Sequence, residues 1–357
     1  MPDLTLLFNQ LLEGVTRFRG VLLFAACAGL GAAGAWLIAG MPFREHLLDA
    51  PNERSSHTEP TPRGGGVGIL AAFIVAGLTL RIPTTFLFAG ILVSAVSFYG
   101  DYFRLSVRFR LGVQLFSALL LLLPMLPRLS AHYSLSTYGF APCLFFLILP
   151  LIFLFVIGTA NFYNFMDGIN GIAGVSGAIA FGLMGVNVLQ RSGADDLQTG
   201  LALLSICIAL ACLGYLPFNL PRARVFMGDV GSILLGFVFA ALVVTLARNY
   251  QEMAGLAALL FPFYADELTT MAVRLRNREN LAQPHRRHLY QILANEFGLA
   301  HWKVTLIYGA AQLAVGAVVL IAYPLGALQI LIFLTACFIA FALVSLLVRG
   351  QIREKRS

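Results

Sequence analysis

The sequence predicts an all-α, polytopic integral membrane protein with about eleven (10–11) transmembrane helices. Three observations predict it. Of 357 residues, 59% are hydrophobic and only 11% charged, with a mean hydropathy of +0.83, far outside the composition of soluble globular chains. The apolar residues come in runs of about 20, the length a helix needs to cross a hydrocarbon core of about 30 Å. The few charges collect between those runs, where water can reach them.

Taken in order, the runs fall near 20–41, 64–81, 84–100, 110–127, 141–160, 169–189, 198–218, 230–247, 254–274, 304–323 and 325–348. Cationic loops stay in the cytoplasm. With the N-terminus outside, only Arg17, Arg19, Arg81, Arg128, Arg191 and Arg248 fall on the outer side, and the other 18 of the 24 Lys and Arg face the cytoplasm. The net charge of +7 is therefore a topology signal with some attraction for anionic membrane lipids, and it gives no support to nucleic-acid binding. Leu4, Leu7, Phe8, Leu11, Leu12, Val15 and Phe18 recur at helical spacing, so residues 1–19 read as an amphipathic segment on the outer surface. Cys27, Cys143, Cys207, Cys212 and Cys337 lie inside apolar runs without metal-ligand spacing and read as small packing residues. The chain reads as one transmembrane domain over 1–357, its longest cytoplasmic loop spanning 274–303.

Carboxylates at the ends of apolar runs carry the functional signal, because an acid at the centre of a membrane helix costs roughly 2.5–3.5 kcal/mol and marks a pathway or a reaction. Asp101, Asp167 and Asp229 all fall on the side that the loop charges assign to the cytoplasm. In Asn161-Phe-Tyr-Asn164-Phe-Met-Asp167-Gly-Ile-Asn170-Gly171, the residues Asn161, Asn164 and Asp167 are three apart and share one face of a helix. Two amides and a carboxylate there suit a polar ligand such as a nucleobase or ribose. Asp229, in Phe226-Met-Gly228-Asp229, precedes a span and is the first choice for a metal ligand, since Mg²⁺ prefers one or two carboxylates completed by phosphates and water.

Cationic and hydrogen-bonding residues complement these acids. The loop from Asp49 to Gly66 carries Asn52, Arg54, Ser56, His57 and Arg63, ending in three glycines. Glycine turns beside Arg and Ser suit phosphate, because backbone N–H groups can approach oxygen closely; they also suit tight helix packing. His285, Arg286, Arg287 and His288 form a second cluster, in which guanidinium forks bind phosphate and His adds a hydrogen bond or proton. Asp266 and Glu267, after Pro262, are placed to orient cationic residues of that neighbouring loop.

From about Asp49 to Lys303 these segments resemble the polyprenyl-phosphate N-acetylhexosamine-1-phosphate transferases. The resemblance rests on Asp-Ala-Pro-Asn-Glu-Arg-Ser-Ser-His with Pro-Thr-Pro-Arg-Gly-Gly-Gly, Asn-Phe-Met-Asp-Gly-Ile-Asn-Gly, Phe-Met-Gly-Asp-Val-Gly-Ser and His-Arg-Arg-His-Leu-Tyr-Gln. The first and last are most similar to the O-antigen-initiating branch. The resemblance implies Mg²⁺ as cofactor, with Mn²⁺ as its substitute, a homodimer in several members, and a site open to the cytoplasm of the bacterial inner membrane. It implies UDP-N-acetylhexosamine as donor, undecaprenyl phosphate as acceptor and UMP as product. It assigns metal binding to Asp229 with Asp101, stacking on uracil to Phe226, the nucleoside pocket to Asn164, Asp167, Asn170 and Asn219, and the diphosphate to His285 and His288. The family commonly carries two adjacent aspartates where this chain has Gly100-Asp101, so the first of the pair, to which proton abstraction has been attributed, is missing. The rival class is a transporter of sugar nucleotides or lipid-linked sugars, which would place its charges near the midplane.

Overall fold

The computed structural model describes residues 4–40, 47–49, 51, 59–103, 105–126, 143–280, 283 and 285–356. Among them the chain is helical apart from one short ribbon: α1 (Leu4–Gly40), β1 (Leu48–Asp49), β2 (Thr61–Pro62), α2 (Val67–Thr79), α3 (Thr84–Phe103), α4 (Val107–Leu122), α5 (Cys143–Phe165), α6 (Ile172–Leu189), α7 (Asp196–Tyr215), α8 (Asp229–Leu246), α9 (Tyr250–Ala257), α10 (Phe261–Arg276), α11 (Leu289–Asn295), α12 (His301–Ile321) and α13 (Ala327–Arg356). Strands β1 and β2 pair antiparallel.

Nine described helices are long and apolar enough to cross a membrane, with α9 and α10 joined into one of 27 residues, Tyr250–Arg276. The other two expected spans coincide with shorter helices, α2 of 13 residues and α4 of 16. Helix α1 runs unbroken from Leu4 to Gly40, and its part from Arg19 is the one long and apolar enough to span. Local sequence sets several other helix starts. Ser106, Asp195 and Asn249 each accept a backbone N–H three residues on, the ordinary N-cap of a short oxygen side chain.

Helix α8 is the axis of the bundle. Every residue from Val230 to Leu246 is buried, which requires a helix apolar on all sides, and α3 and α5 pack along it. Helix α7 lies between α6 and α1. At the periphery, α13 leaves Leu328, Leu331, Ile332, Ile339, Leu343, Val344 and Leu347 exposed, as expected of a helix facing lipid. Small residues bring α1 and α7 into backbone contact: a Cβ on Gly31 would lie 2.0 Å from the Ala211 carbonyl oxygen, and one on Gly214 2.0 Å from that of Ala28. Close approach of this kind drives helix association where lipid competes with apolar side chains.

This packing gives a contrast within one helix. Gly31→Ala will lower the melting midpoint of the detergent-solubilised protein, because overpacking costs about 1–3 kcal/mol. Gly29, with nothing within 4 Å of its would-be Cβ, will tolerate Ala or gain up to about 1 kcal/mol of helix propensity. Equal midpoints for the two variants would refute the packing argument.

Candidate active site

Asp101 in the last turn of α3 and Asp229, the first residue of α8, meet at one end of the bundle. The Asp229 backbone N–H donates to Asp101 Oδ2 at 3.0 Å, so a carboxylate from one helix satisfies an N-terminal donor of another. Glycine 228 is the N-cap, which leaves the Asp229 carboxylate for other partners: Oδ2 accepts from Arg110 Nη1 at 2.9 Å and Oδ1 from Asn164 Nδ2 at 2.8 Å. Asn164 also donates to Ser232 Oγ at 2.9 Å. Arg63 lies 2.6 Å from Asp49 Oδ1 and 3.6 Å from Asp101 Oδ1. The Asp101 side chain is 3% exposed and that of Asp229 23%, so the first is enclosed while the second still opens to a ligand. Burial works against the charge of Arg63, but Asp49, Asp101 and Asp229 together hold its pKa above the ordinary value.

Backbone contacts build this corner. The Phe226 N–H donates to the Pro62 carbonyl at 2.8 Å, the N–H groups of Gly64 and Gly65 both donate to Phe226 O, and that of Gly66 donates to Met227 O at 2.9 Å. The three glycine N–H groups are thus engaged by carbonyls and do not form an open phosphate cradle. The glycines act by approach: a Cβ on Gly66 would lie 2.5 Å from Gly231 Cα, and Gly228, at φ +74°, would put one 2.8 Å from Gly64 N. Phe226 is half-buried, its backbone locked on both sides.

The amide face forms in part. Helix α5 ends at Phe165, so Asn161 and Asn164 lie in its last turns while Asp167 sits in the turn beyond. Asn161 donates to Gln114 Oε1 at 2.7 Å on α4, and Asn164 reaches α8. Asp167 is partly exposed yet crowded; that crowding, with the charges of Asp229 and Asp101, pushes its pKa upward. Asn219 is buried and spent on backbone, accepting from the Gly171 N–H and donating to Val225 O at 2.8 Å. Asn170 donates to Pro221 O at 3.3 Å. These two asparagines shape the turn and the 219–225 loop.

The basic segment divides. His285 is half-exposed, and Arg286 and Arg287 are exposed, with Arg287 ion-paired to Glu279. His288, expected beside His285 as an outward donor, has a side chain only 3% exposed. Burial, reinforced by the charges of Arg349 and Arg274, pushes its pKa down to about 3. Glu267 and Asp266 oxygens lie 3.6 and 3.9 Å from its ring nitrogens, too far for hydrogen bonds, so His288 is a neutral internal residue here. Burial also lowers His285 to about 4, helped by His288, Arg274 and Arg287. The segment reaches the acid corner through Tyr290, whose hydroxyl donates to the Phe165 carbonyl at 2.9 Å.

Asn52, Arg54, Ser56 and His57 lie outside the described residues. Arg63, Asp101, Asn164 and Asp229 are brought together, and Asp167 shares their field. Arg110, Gln114, Ser232 and Asp49 join them without having been singled out; Arg110 read only as a topology charge, and its partner is 119 residues away. Among the described residues no three His, Cys, Asp or Glu side chains form a metal cluster. Two carboxylates, both now matched to cations, nevertheless fit a hard divalent ion that completes its shell with phosphate and water.

The sequence profile described as Glycosyl transferase family 4 matches residues 83–247, the stretch from α3 to the end of α8. The chain is 30% identical over 288 residues to the undecaprenyl-phosphate alpha-N-acetylglucosaminyl 1-phosphate transferase of Salmonella typhi, covering 76% of this chain and 75% of that one. It is 28% identical over 342 residues to the decaprenyl-phosphate N-acetylglucosaminephosphotransferase of Mycobacterium leprae, covering 85% of each. With the probable undecaprenyl-phosphate N-acetylglucosaminyl 1-phosphate transferase of Bacillus subtilis it shares 26% over 328 residues, 86% of each.

The buried His288 gives the site a pH signature. Its folded pKa of about 3 lies below the ordinary 6.5, so between those values the unfolded chain takes up a proton that the folded one refuses. Its contribution to stability is full above pH 6.5 and is lost as pH falls, by up to about 1.4 kcal/mol per unit. Melting midpoints from pH 7.5 to 5 will therefore decline less steeply in His288→Gln than in the unsubstituted protein; parallel profiles would contradict a neutral buried histidine.

Proposed function

From the premise that this chain belongs to the polyprenyl-phosphate N-acetylhexosamine-1-phosphate transferases of glycosyl transferase family 4, we propose that it moves N-acetylhexosamine-1-phosphate from a UDP-sugar to undecaprenyl phosphate. The observation that supports this reading is the paired-charge corner, Asp101 and Asp229 with Arg63 and Arg110, at one end of a membrane bundle. A water-soluble donor and an acceptor with a hydrocarbon tail can meet only at such a boundary.

In the proposed step a lipid phosphate oxygen attacks the β-phosphorus of the UDP-sugar. The new P–O bond forms as the bridging bond to the α-phosphate breaks, and UMP leaves with that electron pair. Positioning and charge neutralisation supply most of the acceleration in such transfers. Asp229 and Asp101 would hold Mg²⁺, or Mn²⁺ in its place, which when bound neutralises charge on the diphosphate. Asn164 holds the Asp229 carboxylate in orientation, so its amide sets which oxygen stays open. Arg110 and Arg63 sit on the same carboxylates and are placed to take phosphate oxygens in their stead. His285, Arg286 and Arg287 form an outward donor segment for the donor's phosphates, joined in this reading by Asn52, Arg54, Ser56 and His57. Phe226 offers a ring for uracil, and Asn161, Asp167 and the turn shaped by Asn170 and Asn219 complete the nucleoside side of the site. The charge asymmetry of the loops supports a cytoplasmic position for this face in a bacterial inner membrane, where the product would begin O-antigen or a related surface polysaccharide. The names of the relatives make UDP-N-acetylglucosamine the first donor to try.

Purified protein, given UDP-N-acetylglucosamine, undecaprenyl phosphate and Mg²⁺, will release UMP and form a lipid-diphosphate sugar identifiable by mass. Chelation of the metal will stop the reaction. Asp229→Asn and Arg110→Ala will each lower kcat by about 10²–10³, the scale of losing one preorganised charge at a reacting phosphate. Full turnover by Asp229→Asn would overturn the assignment of the site, and no transfer from any UDP-N-acetylhexosamine would overturn the reaction.

A further inference from the structure

We infer that Asp266 and Tyr290 are positioning residues that fix the His285–His288 segment against the turn carrying Asp167 and Asn170. The inference rests on the transferase reading for its kinetic consequence alone.

Asp266 lies within α10 and is 0% exposed, a place where a carboxylate is tolerated only if its oxygens are satisfied. Four donors from three helices satisfy it. The Leu289 N–H donates to Oδ1 at 2.8 Å and the Tyr290 N–H to Oδ2 at 3.2 Å. The Tyr308 hydroxyl of α12 donates to Oδ2 at 2.7 Å, and Thr270 of α10 to Oδ1 at 3.1 Å. Leu289 and Tyr290 open α11, a helix of seven residues that is too short to hold itself together. Its start is therefore capped from a membrane-spanning helix, at the residue directly after the basic segment.

Tyr290 carries that anchor to the acid corner. Its side chain is fully buried and its hydroxyl donates to Phe165 O at 2.9 Å, the carbonyl that ends α5. A Cβ on Gly168 would lie 2.1 Å from that hydroxyl, so the turn next to Asp167 rests directly on it. From the far side of the same turn, Thr305 of α12 donates to Asn170 O at 2.8 Å. In the other direction, the His288 ring stacks on Tyr290 at 5.7 Å and 13°, and the His285 ring follows 4.7 Å from His288. A continuous packed column thus runs from the half-exposed His285 through His288 and Tyr290 to the turn, with Asp266 gripping its middle. A shift at Asp266 displaces the donor segment relative to the nucleotide side of the site without touching either.

The test compares Tyr290→Phe and Asp266→Asn with Tyr264→Phe in the full-length, detergent-solubilised protein. Tyr264 is the control: it lies on the same helix and shares a 2.9 Å hydroxyl bond with Thr159, but is not part of the column. Limited trypsin digestion followed by mass spectrometry reads cleavage after Arg286 and Arg287 relative to cleavage after Arg222 and Arg224. Tyr290→Phe will raise that ratio about fivefold, as expected for one lost hydrogen bond, and Asp266→Asn at least as much. The KM for UDP-N-acetylglucosamine will rise about fivefold in Tyr290→Phe while that for undecaprenyl phosphate changes by less than about twofold. Tyr264→Phe will change neither. An unchanged ratio, or faster cleavage at all four arginines alike, would reduce the column to ordinary packing and overturn the inference. If the unsubstituted protein showed no transfer, the reaction assignment would fall and the digestion ratios would still decide this one; if Asp266→Asn failed to fold, Tyr290→Phe carries the test.

Discussion

The hydrogen bond from the Asp229 backbone to the Asp101 carboxylate draws two acids from opposite ends of different helices into one corner, and the surrounding structure answers that concentration of charge. Two like charges near low-dielectric helix ends repel far more strongly than in water. The N-terminus of α8 offsets part of this through the positive end of its dipole and the Asp229 N–H, and Arg63 and Arg110 offset more. The arrangement stays open on one side, at Asp229, and closed on the other, at Asp101. Closure holds the geometry, and the open side leaves room for a ligand.

The rigidity of that corner comes from burial elsewhere. Because α8 is enclosed from Val230 to Leu246, its first residue is held in place, and the approach of Gly66 and Gly228 welds the Arg63 loop to it through backbone alone. On the other flank, the basic segment is held by a buried carboxylate rather than by its own helix. The two halves of the site thus depend on different supports: the acids on an apolar axis, the bases on a polar network among α10, α11 and α12. A bundle whose candidate site groups lie at helix ends and in the adjoining loops leaves the intervening lengths free for lipid, and the exposed leucines and isoleucines of α13 are one such length.

Much of this was legible in the chain. Nine of the eleven apolar runs coincide with described helices long and apolar enough to cross a membrane, because a membrane demands both length and composition, two constraints a reader can count; the other two coincide with shorter helices. Asp101, Asn164 and Asp229 stood out because polar groups at the ends of such runs have no packing purpose. The less visible features depend on partners remote in sequence. Arg110 reads as a topology charge until Asp229 is seen against it. The triple glycine reads as a phosphate loop until the carbonyls of Phe226 and Met227 are found using its N–H groups. His288 reads as a twin of His285, since spacing alone does not say that one ring faces inward under Asp266 and Glu267. The end of α5 at Phe165 was equally hidden, because Met166 and Asp167 carry no helix-breaking signal before Gly168.

The glycine at position 100 bears on how such a site could work without a dedicated base. A Cβ there would have ordinary contacts, 3.5 Å from Arg110 Cδ and 3.7 Å from Leu105 Cδ1, so space does not forbid an aspartate. Charge is the stronger argument. A carboxylate at that position would lie beside Arg110 and compete with Asp229 for its guanidinium, whereas glycine leaves Arg110 to Asp229. The acceptor needs little help in losing its proton, because a phosphate monoester has a second pKa near 6 and is mostly dianionic at neutral pH. What such a nucleophile needs is relief from the repulsion of a second phosphate. In the proposed reaction two arginines moving from carboxylate to phosphate would supply that relief, and a third acid in the corner would hold them back.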